Sequence, residues 1–578
     1  MGEVIVVRLG CRVISLVITI IVIFLFFGVF YHSNGDNYKK TNESQDDTLN
    51  RNSGLSIEEK WRETGLQVKD IENLFLNKKC QASQSVFLSC MNALMTIAEK
   101  EGKEILLDGK VVTVLNSTTA SKMGPHSQSS QSSQSSYAST SRSSIPVSNK
   151  FSHMNEKEKL KVWESVFRKQ KASQIPVEAI WLEISRSFKN RNYESLRVAQ
   201  AFNSYLSVYK DPHTYILPKE YFEKVTAQSQ NVMNSYGFIV SKSNNKFIFT
   251  RIYSDTLFEK AGIQEGDVLV EVDGLSVSHL TNEELLSLFK GKQRNSFLIS
   301  QDEKFVQLTL VKEDQVLKSV QLHKLISGNN KSHWHISIFK IADGVCKQTE
   351  SLLTKAQQQN VSGIILDLRD NSGGSMDEVL CLAGLFVGDR KIYELKYFKQ
   401  NTQKEIESFF ASSKQVYFGP LAVLVNQGTA SSAEILAGVL QDYHRGLVIG
   451  ERTFGKGTFQ EGEAWYKNPK ILIFQTKGLF TLPSGNSPQL IGIIPDIMIN
   501  SWDIAEGREE DLYYNPVYNF VSSDRGSLQK DSSTKSSFEV AKNTPKNHLK
   551  IKNCEGRRVP ARMADPQVGK ALAVLSCS

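Results

Sequence analysis

The first strong feature of the hydrophobic pattern is an unbroken apolar stretch. Val13 to Tyr31 is interrupted only by Ser15, Thr19 and Gly28, and Arg8 and Arg12 precede it. A run of about 20 apolar residues suits a helix that crosses a bilayer. The flanking arginines suit a signal sequence or anchor with its first residues, 1–12, in the cytoplasm. Phe26 to Gly35 has no small-x-small cleavage site, which favours an uncleaved anchor. His32 to Ser53 is polar and reads as a linker. Ser56-Ile57-Glu58-Glu59 has capping-box spacing. Phe87, Met91, Leu94 and Ile97 recur at helical intervals, so residues 32–116 are expected to hold a linker and a small helical region.

Ser117 to Ser148 collapses into Ser, Gln and Thr; such a stretch lacks the apolar residues for a core, so residues 117–150 are expected to be a disordered linker. Helical spacing returns over 151–233, where Phe202, Tyr205, Leu206 and Tyr209 share one face and Asp211-Pro212 ends the run. A strand-rich unit is expected over 234–327. Over 328–500 short apolar strands alternate with amphipathic segments. Gly363–Leu368, Leu421–Asn426, Leu447–Gly450 and Ile471–Gln475 read as buried strands of a largely parallel sheet, hence an α/β layout. After Asn500 the pattern fades. Residues 501–550 are expected to be flexible, and no role is evident for 551–578.

Composition changes this picture little. The chain has 578 residues, too many for one core, with 40% hydrophobic and 22% charged residues. The net charge of +8 is modest, and no nucleic-acid-binding module is visible. No CxxC or HExxH occurs, so no metal site is indicated. Seven cysteines in an exported chain invite disulfides, with Cys80–Cys90 and Cys554–Cys577 as candidate pairs.

Three segments could carry chemistry. In Leu421 to Leu440 an apolar strand runs into small residues and then a helix, with Ser431 at the helix start. Free backbone N–H groups and the positive dipole end gather there and favour a developing oxyanion. Ser at this place is also the ordinary N-cap residue. In Thr453-Phe-Gly-Lys-Gly-Thr-Phe-Gln460 a lysine sits between two glycines. A lysine in apolar surroundings loses its proton more readily and can activate a serine hydroxyl, with Gln460 placed to orient the amine. The plainer alternative is a surface hairpin with a solvated lysine. In Leu366-Asp-Leu-Arg-Asp-Asn-Ser-Gly-Gly374 a strand ends in a glycine pair, a turn able to present N–H groups to an anion.

In this order, LDLRDNSGG, GTASSAE and TFGKGTFQ resemble the motifs of the carboxyl-terminal processing (tail-specific) peptidases. Asp211-Pro-His-Thr-Tyr-Ile-Leu-Pro218, Thr481-Leu-Pro-Ser-Gly485 and Gly492-Ile-Ile-Pro-Asp496 extend the likeness over roughly 155–500. The resemblance implies a Clp/crotonase-like α/β protease core with a PDZ domain, preceded by helical regions and a membrane segment. It makes Ser431 the nucleophile, Lys456 its base and Gln460 the residue that orients the lysine. It makes the backbone N–H groups of Gly373, Gly374 and Ser432 the oxyanion hole, and Asp442 a supporting residue. Tyr236-Gly237-Phe238-Ile239 looks like a PDZ carboxylate-binding loop, and Ala261 to Gly274 resembles the PDZ core segment of bacterial proteases. After Gly291 that likeness drifts, and an altered hairpin is expected from Asn295 to Leu310.

The implied partners are polypeptides with accessible C-termini or unfolded segments, the membrane through the N-terminal helix, and a homo-oligomer or adaptor protein. No cofactor, metal or nucleic acid is implied. The implied place is the cell envelope, either inner-membrane-anchored and facing the periplasm or periplasmic after cleavage. Asp370 and Ser372 stand where the family usually has Asn and Pro. Ser432-Ala433 inverts the usual Ala-Ser, which leaves Ser432 as an alternative nucleophile. His444, two residues after Asp442, is a rival base in a Ser–His–Asp reading. Two other functions compete: an inactive PDZ tail-binding adaptor of the same family, and a crotonase-like acyl-CoA enzyme.

Overall fold

In the computed structural model the described residues are 57–100, 103–108, 111–116, 155–169, 177–186, 194–227, 231–243, 245–253, 255–280, 282–289, 292–301, 304–326, 331–398, 406–500, 507–517 and 565–576. The apolar run at 13–31 and Cys554 and Cys577 therefore lie outside the described residues. Among the described residues no helix is long and apolar enough to cross a membrane.

The chain begins with helices α1 (Ile57–Thr64), α2 (Val68–Phe75) and α3 (Gln84–Lys100), then a hairpin of β1 (Lys103–Asp108) and β2 (Val111–Asn116). Helices α4 (Glu156–Lys169), α5 (Val177–Ser185) and α6 (Glu194–Tyr209) close one core around Trp163 and Trp181. Phe87, Met91, Leu94 and Ile97 enter this core, as their helical spacing requires. The β1–β2 hairpin was not expected within a helical region. Its signal was the β-branched run Val111-Val-Thr-Val114. A disulfide joins Cys80 to Cys90.

After β3 (Tyr215–Pro218) and α7 (Lys219–Ala227) comes β4 (Asn231–Ser235). An antiparallel unit follows, comprising β5 (Phe238–Ser243), β6 (Lys246–Ile252), α8 (Leu257–Lys260), β7 (Val268–Val272), β8 (Leu275–Ser276), α9 (Asn282–Phe289), β9 (Arg294–Gln301) and β10 (Lys304–Val311). Its strand order is β10-β9-β7-β6-β5, with β8 on β7, so β5 is an edge. The expected hairpin at 295–310 is β9–β10, paired antiparallel from Arg294 to Val311. The core of this unit is aromatic: Phe247, Phe249, Phe258 and Phe297 are fully buried. β11 (Glu313–Leu317) pairs with β4.

The remaining chain forms two sheets. Introduced in order, the elements are β12 (Val320–Ile326), β13 (Ser332–Ile338), α10 (Val345–Gln358), β14 (Gly363–Asp367), α11 (Met376–Val387), β15 (Lys391–Tyr397) and β16 (Ile406–Phe410). Then come β17 (Leu421–Val425), α12 (Ser432–Asp442), β18 (Leu447–Gly450), β19 (Thr458–Trp465), β20 (Asn468–Thr481), β21 (Ile497–Met498), α13 (Glu509–Leu512) and α14 (Pro566–Leu575). One sheet runs β12-β13-β14-β17-β18-β21, parallel except for β12. Its strands are apolar on both faces because both faces are covered. Ile364, Leu366, Val423 and Val425 face α10, α11 and α12, while Ile365, Ala422, Leu424 and Ile449 face α14. The C-terminal segment thus has a structural role that its sequence did not announce.

Ile471–Gln475 departs from expectation. It belongs to the long β20 of a second, antiparallel sheet, β16-β15-β20-β19, with β3 also on β20. Buried apolar runs look alike in parallel and antiparallel sheets, so periodicity alone could not place this strand. Residues 507–517 also depart from the expected flexible stretch: Glu509 is fully buried. A second disulfide, Cys346–Cys381, ties α10 to α11 across 35 residues. Loop-closure entropy grows with the span closed. Serine replacement of Cys346 and Cys381 together is therefore expected to cost about 4 kcal/mol, against about 3 kcal/mol for Cys80 with Cys90. Urea denaturation of the two double variants checks the order.

Candidate active site

The loops that carry the three motifs leave β14, β17 and β18 at their carboxyl ends. These strands are neighbours in the parallel sheet. Open parallel sheets place their sites at this edge because helix N-termini and strand-end loops converge there.

Ser431 is the N-cap of α12, with φ 57 and ψ −124. A positive φ is strained for a residue with a side chain, and only surrounding contacts hold it. Those contacts are present. Ala430 N–H donates to Asn371 O (2.9 Å), Thr429 Oγ1 donates to Leu368 O (2.8 Å), and Phe454 N–H donates to Thr429 O (3.0 Å). Ser431 is 4% exposed and Ser432 is 0% exposed. The Ser432 hydroxyl is buried and finds no hydrogen-bond partner among the described residues.

Glu434 links this turn to the lysine loop. Its Oε2 accepts from Ser431 N–H and from Lys456 N–H, each at 2.9 Å. Its Oε1 accepts from Thr453 Oγ1 (2.6 Å) and Gly455 N–H (2.8 Å). Burial pushes its pKa up to about 7, and the four hydrogen bonds oppose that rise. Glu434 closes the GTASSAE motif but is not among the expected site residues. The signal was available, since Ser-x-x-Glu at a helix start is capping-box spacing.

Lys456 is 3% exposed, and its Nζ donates to Gln460 Oε1 at 3.2 Å. The Gln460 amide nitrogen donates in turn to Thr458 Oγ1 (3.0 Å) and Thr476 Oγ1 (3.3 Å), which aims the amide oxygen at the lysine. Burial pushes the Lys456 pKa down to about 8, against the attraction of Glu509, Asp211 and Glu434. Its flanking glycines are needed for close approach. A Cβ on Gly457 would stand 2.4 Å from Ser487 Oγ and 2.6 Å from Gln489 N.

The glycine pair of the third motif lies against the Ser431 turn. A Cβ on Gly373 would meet Ala430 O at 2.8 Å and Ser432 N at 3.0 Å, and one on Gly374 would overlap Ile341 O at 1.9 Å. The Gly373 N–H donates to Asn371 Oδ1 at 2.9 Å, so in this structure it already has an acceptor. Asp370 has φ 58 and is braced by Asn426, whose Nδ2 donates to Asp370 Oδ1 at 2.7 Å. Arg251 of β6 reaches across from the antiparallel unit to Asp370 at 3.4 Å, its guanidinium stacked on Phe339.

The other candidate residues lie apart. Asp442 ends α12 and accepts from Ser484 N–H at 2.9 Å, bracing the Thr481–Gly485 turn. His444 is exposed just beyond the same helix. Eleven residues of helix separate it from Ser431, about 16 Å, so it is out of reach as a base. Tyr236 to Ile239 lie at the start of the edge strand β5. Tyr236 Oη donates to Asn295 Oδ1 (2.8 Å), Gly237 has φ 82, and Phe238 packs on Phe258 at 4.4 Å between ring centres.

Residues 335–499 match the family model described as Peptidase family S41. A CtpA-like serine protease of Staphylococcus epidermidis is 26% identical over 339 residues, covering 58% of this chain and 67% of that protein. A carboxyl-terminal-processing protease of Picosynechococcus is 26% identical over 358 residues, covering 60% of this chain and 85% of that protein. Among solved structures, a photosystem II D1 C-terminal processing protease aligns at 23% identity and a TM-score of 0.35, covering 59% of this chain and 92% of that one.

Replacing Glu434 by Ala removes the acceptor of four donors and leaves them buried. The expected loss is at least about 3 kcal/mol of stability, read by urea denaturation. Glu434→Gln, which keeps shape, is expected to lose less. Gly374→Ala is expected to give little folded protein, because the added carbon overlaps backbone.

Proposed function

From the premise that this chain belongs to peptidase family S41, a family of serine proteases, we propose that it is an endopeptidase working through Ser431 and Lys456. The observation that carries this reading is the burial of Lys456 with its amine on Gln460, on a loop held to the same Glu434 oxygen as the Ser431 amide. Neutral Lys456 takes the proton of Ser431, whose oxygen attacks the scissile carbonyl. The amides of Ser432 and the Gly373–Gly374 turn receive the negative oxygen, at the N-terminus of α12. The Gly373 amide must first leave Asn371. Lys456 then returns the proton to the leaving amine, and water releases the acyl-enzyme. Asp442 acts only by bracing the 481–485 turn. Ser432 is the weaker nucleophile candidate because its hydroxyl is sealed from solvent.

The antiparallel unit acts in this proposal as a PDZ domain for C-terminal or unfolded segments. Support comes from the edge position of β5 beside α9 and from the Tyr236–Ile239 turn at its start. An extended chain adds to such an edge through its backbone, while consecutive N–H groups hold its terminal carboxylate. The compartment proposed is the cell envelope, with residues 13–31 as anchor. The two disulfides favour an oxidising compartment.

Three measurements test the reading. With an unfolded protein as substrate, Ser431→Ala and Lys456→Ala are expected to abolish cleavage by the full chain, while Ser432→Ala keeps cutting. Full activity in Lys456→Ala removes the base assignment. The rate constant kcat/KM is expected to rise about tenfold per pH unit below pH 8 and level off above it, as the amine loses its proton. A peptide with a free apolar C-terminus is expected to bind at least about tenfold tighter than its amidated form. Equal binding of the two would speak against a carboxylate-reading groove.

A further inference from the structure

α13 lies beyond the residues that match the family, yet its first residue reaches the lysine loop from two sides. Glu509 is 0% exposed. Its own N–H donates to Phe454 O at 3.1 Å, at the start of the glycine-lysine-glycine turn. Its carboxylate accepts from Gln489 Nε2 at 3.4 Å, and Gln489 Oε1 accepts from Gly457 N–H at 2.7 Å, at the end of that turn. Oε1 and Oε2 also lie 2.8 and 3.0 Å from His213 Nε2, and the His213 ring meets the half-buried Tyr513 ring edge-to-face. The backbone of His213 donates to Asp211 Oδ1 (3.0 Å), which also accepts from Thr476 Oγ1 (2.6 Å), and Thr476 Oγ1 in turn accepts from Gln460. Polar contacts therefore run from Gln460, which accepts from Lys456 Nζ, through Thr476, Asp211, His213, Glu509 and Gln489 to Gly457, the residue after Lys456.

We infer that Glu509 is a positioning residue for Lys456: it holds both ends of the lysine turn and supplies a buried carboxylate that acts on the ammonium. The inference rests on the reading of Lys456 as the base. Burial lowers the Lys456 pKa, and Glu509 heads the charges that oppose that shift, followed by Asp211 and Glu434. His213 faces Glu509 from the opposite side. The consequence is an amine that both takes and returns a proton near neutral pH, which a general base and acid requires.

The test uses the full chain and needs no turnover. Competitive acetic anhydride labelling across a pH series, read by peptide mass spectrometry, gives the titration midpoint of Lys456. Glu509→Gln keeps the size of the side chain and removes its charge. The midpoint is expected to move down by about one pH unit. Glu509→Asp withdraws the charge by one methylene and is expected to move it less, in the same direction. Glu510→Gln, on the same helix and paired with Arg452, is the control expected to leave the midpoint in place. An unchanged midpoint in whichever of the two Glu509 variants folds, or an equal shift in Glu510→Gln, overturns the inference. Where the parent cleaves, the acidic limb of kcat/KM is expected to follow the labelling midpoint, whereas a merely structural role lowers the rate at every pH without moving the limb. A parent chain that cuts nothing would sink the protease reading while the labelling midpoint still decides the role of Glu509.

Discussion

The carboxylate of Glu434 holds together two loops that leave neighbouring strands. It accepts from Ser431 N–H and Lys456 N–H on one oxygen, and from Thr453 and Gly455 on the other. Without that acceptor, four buried donors would lack partners, and the strained φ of Ser431 would lose a contact that holds it. An acid in the first turn of α12 also faces the positive end of that helix, the same end that favours an oxyanion. One side chain thus serves stability and places the two groups proposed to carry the chemistry. A buried carboxylate pushed up to about 7 marks how much burial works against its charge.

Around this joint, further charges hold the strand ends. Asp367, at the end of β14, is buried. Burial works to raise its pKa, but Arg369 and His335 hold it well below the usual range. Arg369 also bonds Asp565 at the N-terminus of α14. The turn that carries Asp370 to Gly374 is therefore anchored to the helix that seals the outer face of the sheet. Leu575 of that helix stands 3.1 Å from where a Cβ on Gly363 would lie, so a larger residue at the start of β14 would push the helix away.

The contact from Arg251 to Asp370 joins the antiparallel unit to the glycine turn. The carboxylate of Asp370 is what allows an ion pair there. The charge therefore lies one strand-end away from Ser431, braced by Asn426, and links the unit proposed to bind chain ends to the turn proposed to bind the oxyanion.

Much of the site was legible in the chain itself. The small residues before Ser431, the glycines around Lys456 and the glycine pair at 373–374 each state a local backbone requirement. The structure meets each one with a positive φ or a close approach. The buried strands 363–367, 421–425 and 447–450 follow from apolar runs that only a doubly covered sheet accommodates. The sequence left open which of the two serine hydroxyls is sealed without a partner, since burial of the Ser432 hydroxyl depends on how α12 packs. It misassigned Ile471–Gln475, because a buried strand reads the same in either sheet. It could not show that Glu509 returns to Lys456 or that α14 covers β14 and β17, because both contacts join segments far apart in the chain. Local pattern determines the turns and the strands; the charges that surround the lysine are decided by which distant segments the folded chain brings to it.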